Sequence, residues 1–141
     1  MNDIEAVYND LIMEHSMNSY NKRKLNNPDI TEMGHNPNCG DEIEIEVKLK
    51  DGKIEDLGFT GHGCAISQSS ISIMIDTLRG KTIEEAKKII ENFVKMIKRE
   101  NLSQEEINSL EEAVAFKNIS NMPARVRCAL LAWHTMEKIL T

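Results

Sequence analysis

Residues 43–60 read IEIEVKLKDGKIEDLGFT, and this stretch decides the fold. Ile43, Ile45, Val47 and Leu49 alternate with Glu44, Glu46 and Lys48, which predicts a strand with one buried face. Asp51-Gly52 is the dipeptide of a two-residue hairpin turn. The return strand, Lys53 to Thr60, carries Ile54, Leu57 and Phe59 with a break in alternation, so a bulge is expected near Gly58.

Working outward, Gly61-His62-Gly63-Cys64 turns into AISQSSISIMIDTLRG. Ile66, Ile71, Ile73, Met74, Ile75 and Leu78 surround much of this predicted helix, so it should be mostly buried, with Gly80 as its C-terminal stop. Thr82 and Glu85 form a capping box that opens a helix to about Arg99. Ser103 and Glu106 repeat the box for a shorter helix ending near Ala115, and Pro123 suits the first turn of a last helix. Val126, Ala129, Leu130, Trp133, Met136 and Leu140 mark that helix's apolar stripe. Upstream, Ile4, Val7, Tyr8, Leu11, Ile12 and His15 stand at helical spacing, and the Asn-rich stretch from Asn18 to Asn38 reads as an extended loop. The expected architecture is α+β, a small antiparallel β-sheet with helices packed on one side.

A length of 141 residues suits one domain. With 17 Lys plus Arg against 23 Asp plus Glu, the net charge of −6 argues against general nucleic-acid binding. No apolar run reaches the length of a membrane span, and the first thirty residues lack the basic start and apolar centre of a signal peptide, so a cytoplasmic location is expected. Aromatic residues are few, which leaves the core to aliphatics and Met.

Three cysteines, Cys39, Cys64 and Cys128, are an odd count that argues against a disulfide framework. Cys39 precedes a strand and is followed by Gly40 and Asp41; Cys64 stands where a glycine-rich turn enters a helix; Cys128 lies in the second turn of the last helix. A helix N-terminus favours a thiolate, and Arg125 and Arg127 would reinforce that at Cys128. Residue types alone leave two readings open. The thiols are packing residues, or they join Asp41 in a tetrahedral Cys₃Asp metal site for zinc or iron–sulfur chemistry.

The blocks Asn36-Pro37-Asn38-Cys39-Gly40-Asp41, Gly61-His62-Gly63-Cys64-Ala65-Ile66-Ser67 and Pro123-Ala124-Arg125-Val126-Arg127-Cys128 resemble, in order, the three signature blocks of the U-type iron–sulfur cluster assembly proteins. The region from Val7-Tyr8 to Leu25 is similar to that family's first helix and following loop. The resemblance implies a SufE/NifU-like fold, a single domain over residues 1–141, and a helical insertion near residues 100–120. In the IscU branch a histidine directly precedes the third cysteine and the connection to it is shorter. Here Arg127 holds that place and 63 residues separate Cys64 from Cys128, which resembles the SufU branch of zinc-dependent sulfurtransferases.

What the resemblance implies is a persulfide relay. A pyridoxal-phosphate cysteine desulfurase would be the partner, Cys39 the acceptor thiol, and Cys39, Asp41, Cys64 and Cys128 the zinc ligands. A histidine of the desulfurase would displace Cys39 from zinc and free it to attack, and downstream iron–sulfur assembly components would receive the sulfur. Arg125 matches a basic position of the SufU motif and is expected to pair with Asp41 or with the partner as the site opens, or else to be solvated. A transient [2Fe–2S] cluster on the same ligands is the alternative, and a structural zinc site used only for docking is a third reading.

Other candidates have plainer readings. His62 is expected beside the site or exposed, with zinc ligation in place of Asp41 as the alternative. His15, His35 and His134 read as surface or partly packed residues. Serines 67, 69, 70 and 72 form no legible Ser-His-Asp arrangement and suit a buried helix, and the mixed charges from Lys81 to Arg99 read as a solvated helical face.

Overall fold

The structure, a computed structural model, describes residues 3–17, 19–37 and 40–141, with side chains from Tyr8 onward. The elements follow as α1 (Asp3–Met17), β1 (Ile30–Asn36), β2 (Asp41–Lys50), β3 (Lys53–His62), α2 (Ala65–Leu78), α3 (Ile83–Ile97), α4 (Gln104–Ser109), a 3₁₀ helix (Glu111–Asn121) and α5 (Pro123–Leu140). The sheet is antiparallel with strand order β1-β2-β3. Among the described residues no helix is long and apolar enough to cross a membrane.

The hairpin forms as its sequence dictates. Asp51 and Gly52 both adopt positive φ, 54° and 76°, the pair of angles a type I′ turn needs. Ile43, Ile45 and Val47 then face the helices together with Leu57 and Phe59, and all five are buried. The bulge sits earlier than the sequence reading placed it. The register slips between Lys48 and Leu49, which pair with Asp56 and Ile54, so Glu55 is the extra residue. Ile54 and Leu57 are three apart and both fully buried, which a regular period of two forbids. Gly58 has a different role: a Cβ there would collide with the backbone oxygen of Arg23, where the chain crosses the outer face of the sheet.

The loop expected over Asn18–Asn38 contains β1, which pairs with β2 from Ile30↔Val47 to Asn36↔Asp41. Its inward positions are Ile30, Glu32, Gly34 and Asn36, so the hydrophobic alternation that betrays a strand is missing. Gly34 lets α5 approach closely, because a Cβ there would meet Thr135 and Leu131.

Helices α2 and α5 pack on one face of the sheet, with α3 and the 3₁₀ helix behind them and α1 against α2. Enclosed on nearly all sides, α2 buries Ser67, Ser69, Ser70 and Ser72 along with its isoleucines. These serines are satisfied. Ser70 Oγ donates to Ala129 O at 2.6 Å and accepts from Trp133 Nε1 at 3.0 Å, while Ser72 Oγ lies 2.7 Å from His15 Nδ1. Trp133 stacks on Phe93 with ring centroids 3.9 Å apart. Leu11 and Ile12 of α1 pack on this core; the side chains of Ile4 and Val7 lie outside the described residues.

Both capping boxes form, at Thr82/Glu85 and Ser103/Glu106. The second helix ends earlier than expected. At Glu111 φ turns to 49°, and the chain continues as the 3₁₀ helix instead of reaching Ala115 as an α-helix. Gly80 follows Arg79, the residue that caps the C-terminus of α2, with φ 85°, the left-handed conformation that favours glycine.

Residues 21–25 strap the outer face. Phe59 N donates to Asn21 O at 3.1 Å, Leu25 N to Glu46 Oε1 at 2.7 Å, and the Arg23 guanidinium grips Asp56 at 2.7 Å. Arg79 adds a second guanidinium to Asp56, with Nε at 3.0 Å.

Candidate metal centre

At the end of the sheet away from the Asp51-Gly52 turn, the alternation of β2 continues one step before Ile43. That phase turns Asp41 towards the helices, where it is fully buried. The glycines of Gly61-His62-Gly63-Cys64 let β3 leave the sheet against this carboxylate. Gly61 has φ 118° and lies so close to β2 that a Cβ would touch Glu42 O and Ile43 Cα. A Cβ on Gly63 would occupy the space of the Asp41 carboxylate and Ser67 Oγ.

Cys64 then caps α2. Its Sγ accepts from Ser67 N at 3.5 Å, and its own backbone N–H donates to Asp41 Oδ1 at 3.0 Å. Cys128 comes from the second turn of α5 and is fully buried. Asp41, Cys64 and Cys128 thus converge from three separate elements, with one ligand atom of each within 4.8 Å of the other two.

Asp41 Oδ2 is buried and has no hydrogen-bond partner among the described residues. An ionised carboxylate so placed is costly unless something compensates it. Two sulfurs and a carboxylate oxygen are the donor set of zinc, whose tetrahedral ligands at roughly 2.0–2.3 Å lie roughly 3.3–3.8 Å from one another. The three residues fit such an ion and leave one position of the tetrahedron for another donor. Cys39, expected as that donor, lies outside the described residues; Asn36 and Asp41, which flank residues 37–40, are register partners.

Arg125 and His62 are the other candidates at or beside the site. Arg125 is exposed in the first turn of α5 and makes no ion pair among the described residues. The side chain of His62 is 75% exposed, its Nε2 lying 4.0 Å from Glu42 Oε2, so the reading of His62 as exposed holds. Two contributors went unrecognised in the sequence, Gly63 and Ser67. Their signal was the spacing of Gly61 and Gly63 before a helix-capping cysteine, which marks a close backbone approach.

The model of the "NifU-like N terminal domain" matches residues 7–139. The chain belongs to that family. Its members include the IscU and SufU types of iron–sulfur cluster assembly protein. A Thermotoga maritima protein named "Iron-sulfur cluster assembly scaffold protein IscU" is 36% identical over 136 residues, covering 96% of this chain and 94% of its own length. A Bacillus subtilis protein named "Zinc-dependent sulfurtransferase SufU" is 35% identical over 136 residues, covering 96% and 90%. Among solved structures, a putative iron–sulfur cluster assembly scaffold protein for the SUF system from Fervidobacterium islandicum superposes with a TM-score of 0.89 at 36% identity, over 97% of this chain and 98% of that one. The NifU-like fold is therefore this chain's fold.

Proposed function

We propose that this NifU-like protein accepts persulfide sulfur from a cysteine desulfurase for iron–sulfur cluster assembly. The observation that carries the proposal is the convergence of Asp41, Cys64 and Cys128 around a buried carboxylate oxygen that no described residue satisfies. Asp41, Cys64, Cys128 and Cys39 would hold zinc, which when bound keeps the thiols deprotonated at neutral pH.

In the transfer, the Cys39 thiolate attacks the outer sulfur of the desulfurase cysteine persulfide. The donor's S–S bond breaks, its cysteine leaves as a thiolate, and a persulfide forms on Cys39. One sulfur moves with no net change in oxidation level. The Cys64 N–H holds Asp41 in place, which would keep that carboxylate available to the metal while Cys39 is engaged. Arg125, exposed in the first turn of α5, would pair with the partner's acidic groups as the site opens. Arg127 before Cys128 and the α4 and 3₁₀ segment between α3 and α5 support the SufU role.

The test is desulfurase turnover with the zinc-loaded protein, the metal-free protein and Cys39→Ala as acceptors. Strong stimulation by the first alone is expected. Full sulfur acceptance by Cys39→Ala would overturn the role of Cys39. A second reading is favoured by the scaffold names of the Thermotoga and Fervidobacterium proteins: the same donors hold a transient [2Fe–2S] cluster. It predicts a brown protein after anaerobic reconstitution that passes iron and sulfide to an apo-ferredoxin, with no effect on desulfurase turnover.

A further inference from the structure

The two outer strands of the sheet are finished differently. The free side of β3 is covered: Lys22 bridges to Phe59, Lys53 bridges to Thr82, and Ile54 N donates to Lys81 O at 2.9 Å. Among the described residues β1 pairs with β2 and with no other strand. An uncovered edge is a template for another chain, and proteins ordinarily block it unless it is used.

Beside this edge runs a groove of about 360 Å³ between β1 and α5, lined among others by Met33, His35, Arg127, Leu131, His134 and Lys138. No carboxylate lines it, in a chain whose net charge is −6. Glu32 and Glu137 reach Lys138 and His134 from outside, at 3.8 and 3.7 Å, whereas Arg127 makes no ion pair among the described residues. Met33 is half exposed, an apolar contact on the strand itself. The groove leads to the metal centre, since Arg127 precedes Cys128 and β1 ends at Asn36, the register partner of Asp41.

We infer that the β1–α5 groove receives an extended acidic segment of the sulfur-donating desulfurase. This rests on the function proposed above and names the surface it uses. The segment adds main-chain hydrogen bonds along β1, sets one apolar side chain against Leu131 on the α5 side of the sheet and the next towards Met33 on the outer side, and places its carboxylates near Arg127 and Lys138. Strand addition supplies register, and the charges speed and orient encounter. Docking there delivers the partner's persulfide to the end of the sheet where Asp41, Cys64 and Cys128 meet.

The test compares wild type, Arg127→Glu, Lys138→Glu and, as a remote control, Lys87→Glu on α3, each zinc-loaded. The concentration of acceptor giving half-maximal desulfurase stimulation should rise about tenfold for either groove variant and stay unchanged for the control, with the maximal rate kept within about twofold. Raising the salt concentration should weaken wild type more than the groove variants. Equal half-saturation in all four proteins would overturn the inference. So would a loss confined to maximal rate, which would place Arg127 in the chemistry instead. Arg127→Gln, with zinc content and melting temperature checked, guards against misfolding. Calorimetric binding to the desulfurase separates the two claims: if wild type binds but accepts no sulfur, the proposed function fails, while the groove is judged by the variants' Kd values. If wild type does not bind, both fail.

Discussion

Asp41 and Asp56 are carboxylates of the same sheet, on neighbouring strands, and they are treated in opposite ways. Asp56 is partly exposed, and protein donors surround it: Arg23 contacts both oxygens, Arg79 Nε and the Leu57 N–H one of them. Burial alone would raise its carboxyl, but the Arg23 hydrogen bond, the Leu57 N–H and the Arg79 guanidinium outweigh that and hold it below the usual carboxylate range. The hydrogen bond to Asp56 raises Arg23 in turn. Asp41 is wholly buried, receives one N–H from Cys64, and keeps one oxygen with no donor among the described residues. One carboxylate ties the strap of residues 21–25 to the sheet and to α2. The other keeps a buried oxygen that no described residue satisfies, the one that the proposed metal would engage.

The largest effect expected from breaking this contrast comes at the sulfurs. Cys64→Ser or Cys128→Ser should lower zinc affinity at least a hundredfold, read by competition with a chromogenic chelator, because a neutral hydroxyl replaces a thiolate. Asp41→Asn should cost at least tenfold in the same titration. The metal-free form of that variant should melt no lower than metal-free wild type, since the amide oxygen can still accept from the Cys64 N–H. A large fall in its metal-free melting temperature would make Asp41 a structural carboxylate like Asp56. Gly63→Ala should come next, reducing zinc retention severalfold as the new methyl displaces the Asp41 carboxylate or Ser67.

Asp56→Asn should do the reverse, leaving zinc content intact while lowering stability by about 1–2 kcal/mol in a denaturant titration. The smallest effect is its pH signature. Because the folded carboxyl of Asp56 lies below its unfolded value, its contribution is fully present above the unfolded value of about 3.9 and is lost as pH falls through the folded one. The melting-temperature gap between wild type and Asp56→Asn should therefore be flat at neutral pH and close below about pH 4.

Those elements whose information is local were legible in the sequence. Asp51-Gly52, Thr82 with Glu85 and Ser103 with Glu106 each specify a turn or cap through nearby atoms, and each forms. β1 was not legible, because its inward positions carry Glu32, Gly34 and Asn36 and only the approach of α5 explains them. Glu55 as the bulge was readable in retrospect from the three-residue spacing of Ile54 and Leu57. At the site, the sequence placed Cys64 at a helix start and Asp41 beside a strand. The burial of Asp41 follows from extending the phase of Ile43 and Ile45 by one step. That Cys128 meets them across the fold is a tertiary fact, absent from any local pattern.

Trp133 gives the molecule an intrinsic optical reporter. It is the chain's one tryptophan, fully buried, stacked on Phe93 and hydrogen-bonded to Ser70, on the same helix as Cys128 and five residues beyond it. Its fluorescence comes from a single, defined environment, so emission needs no deconvolution and no label. Anything that tilts or loosens α5, whether loading of the thiols or a strand arriving along β1, alters the ring's neighbours and thus the colour or brightness of that light.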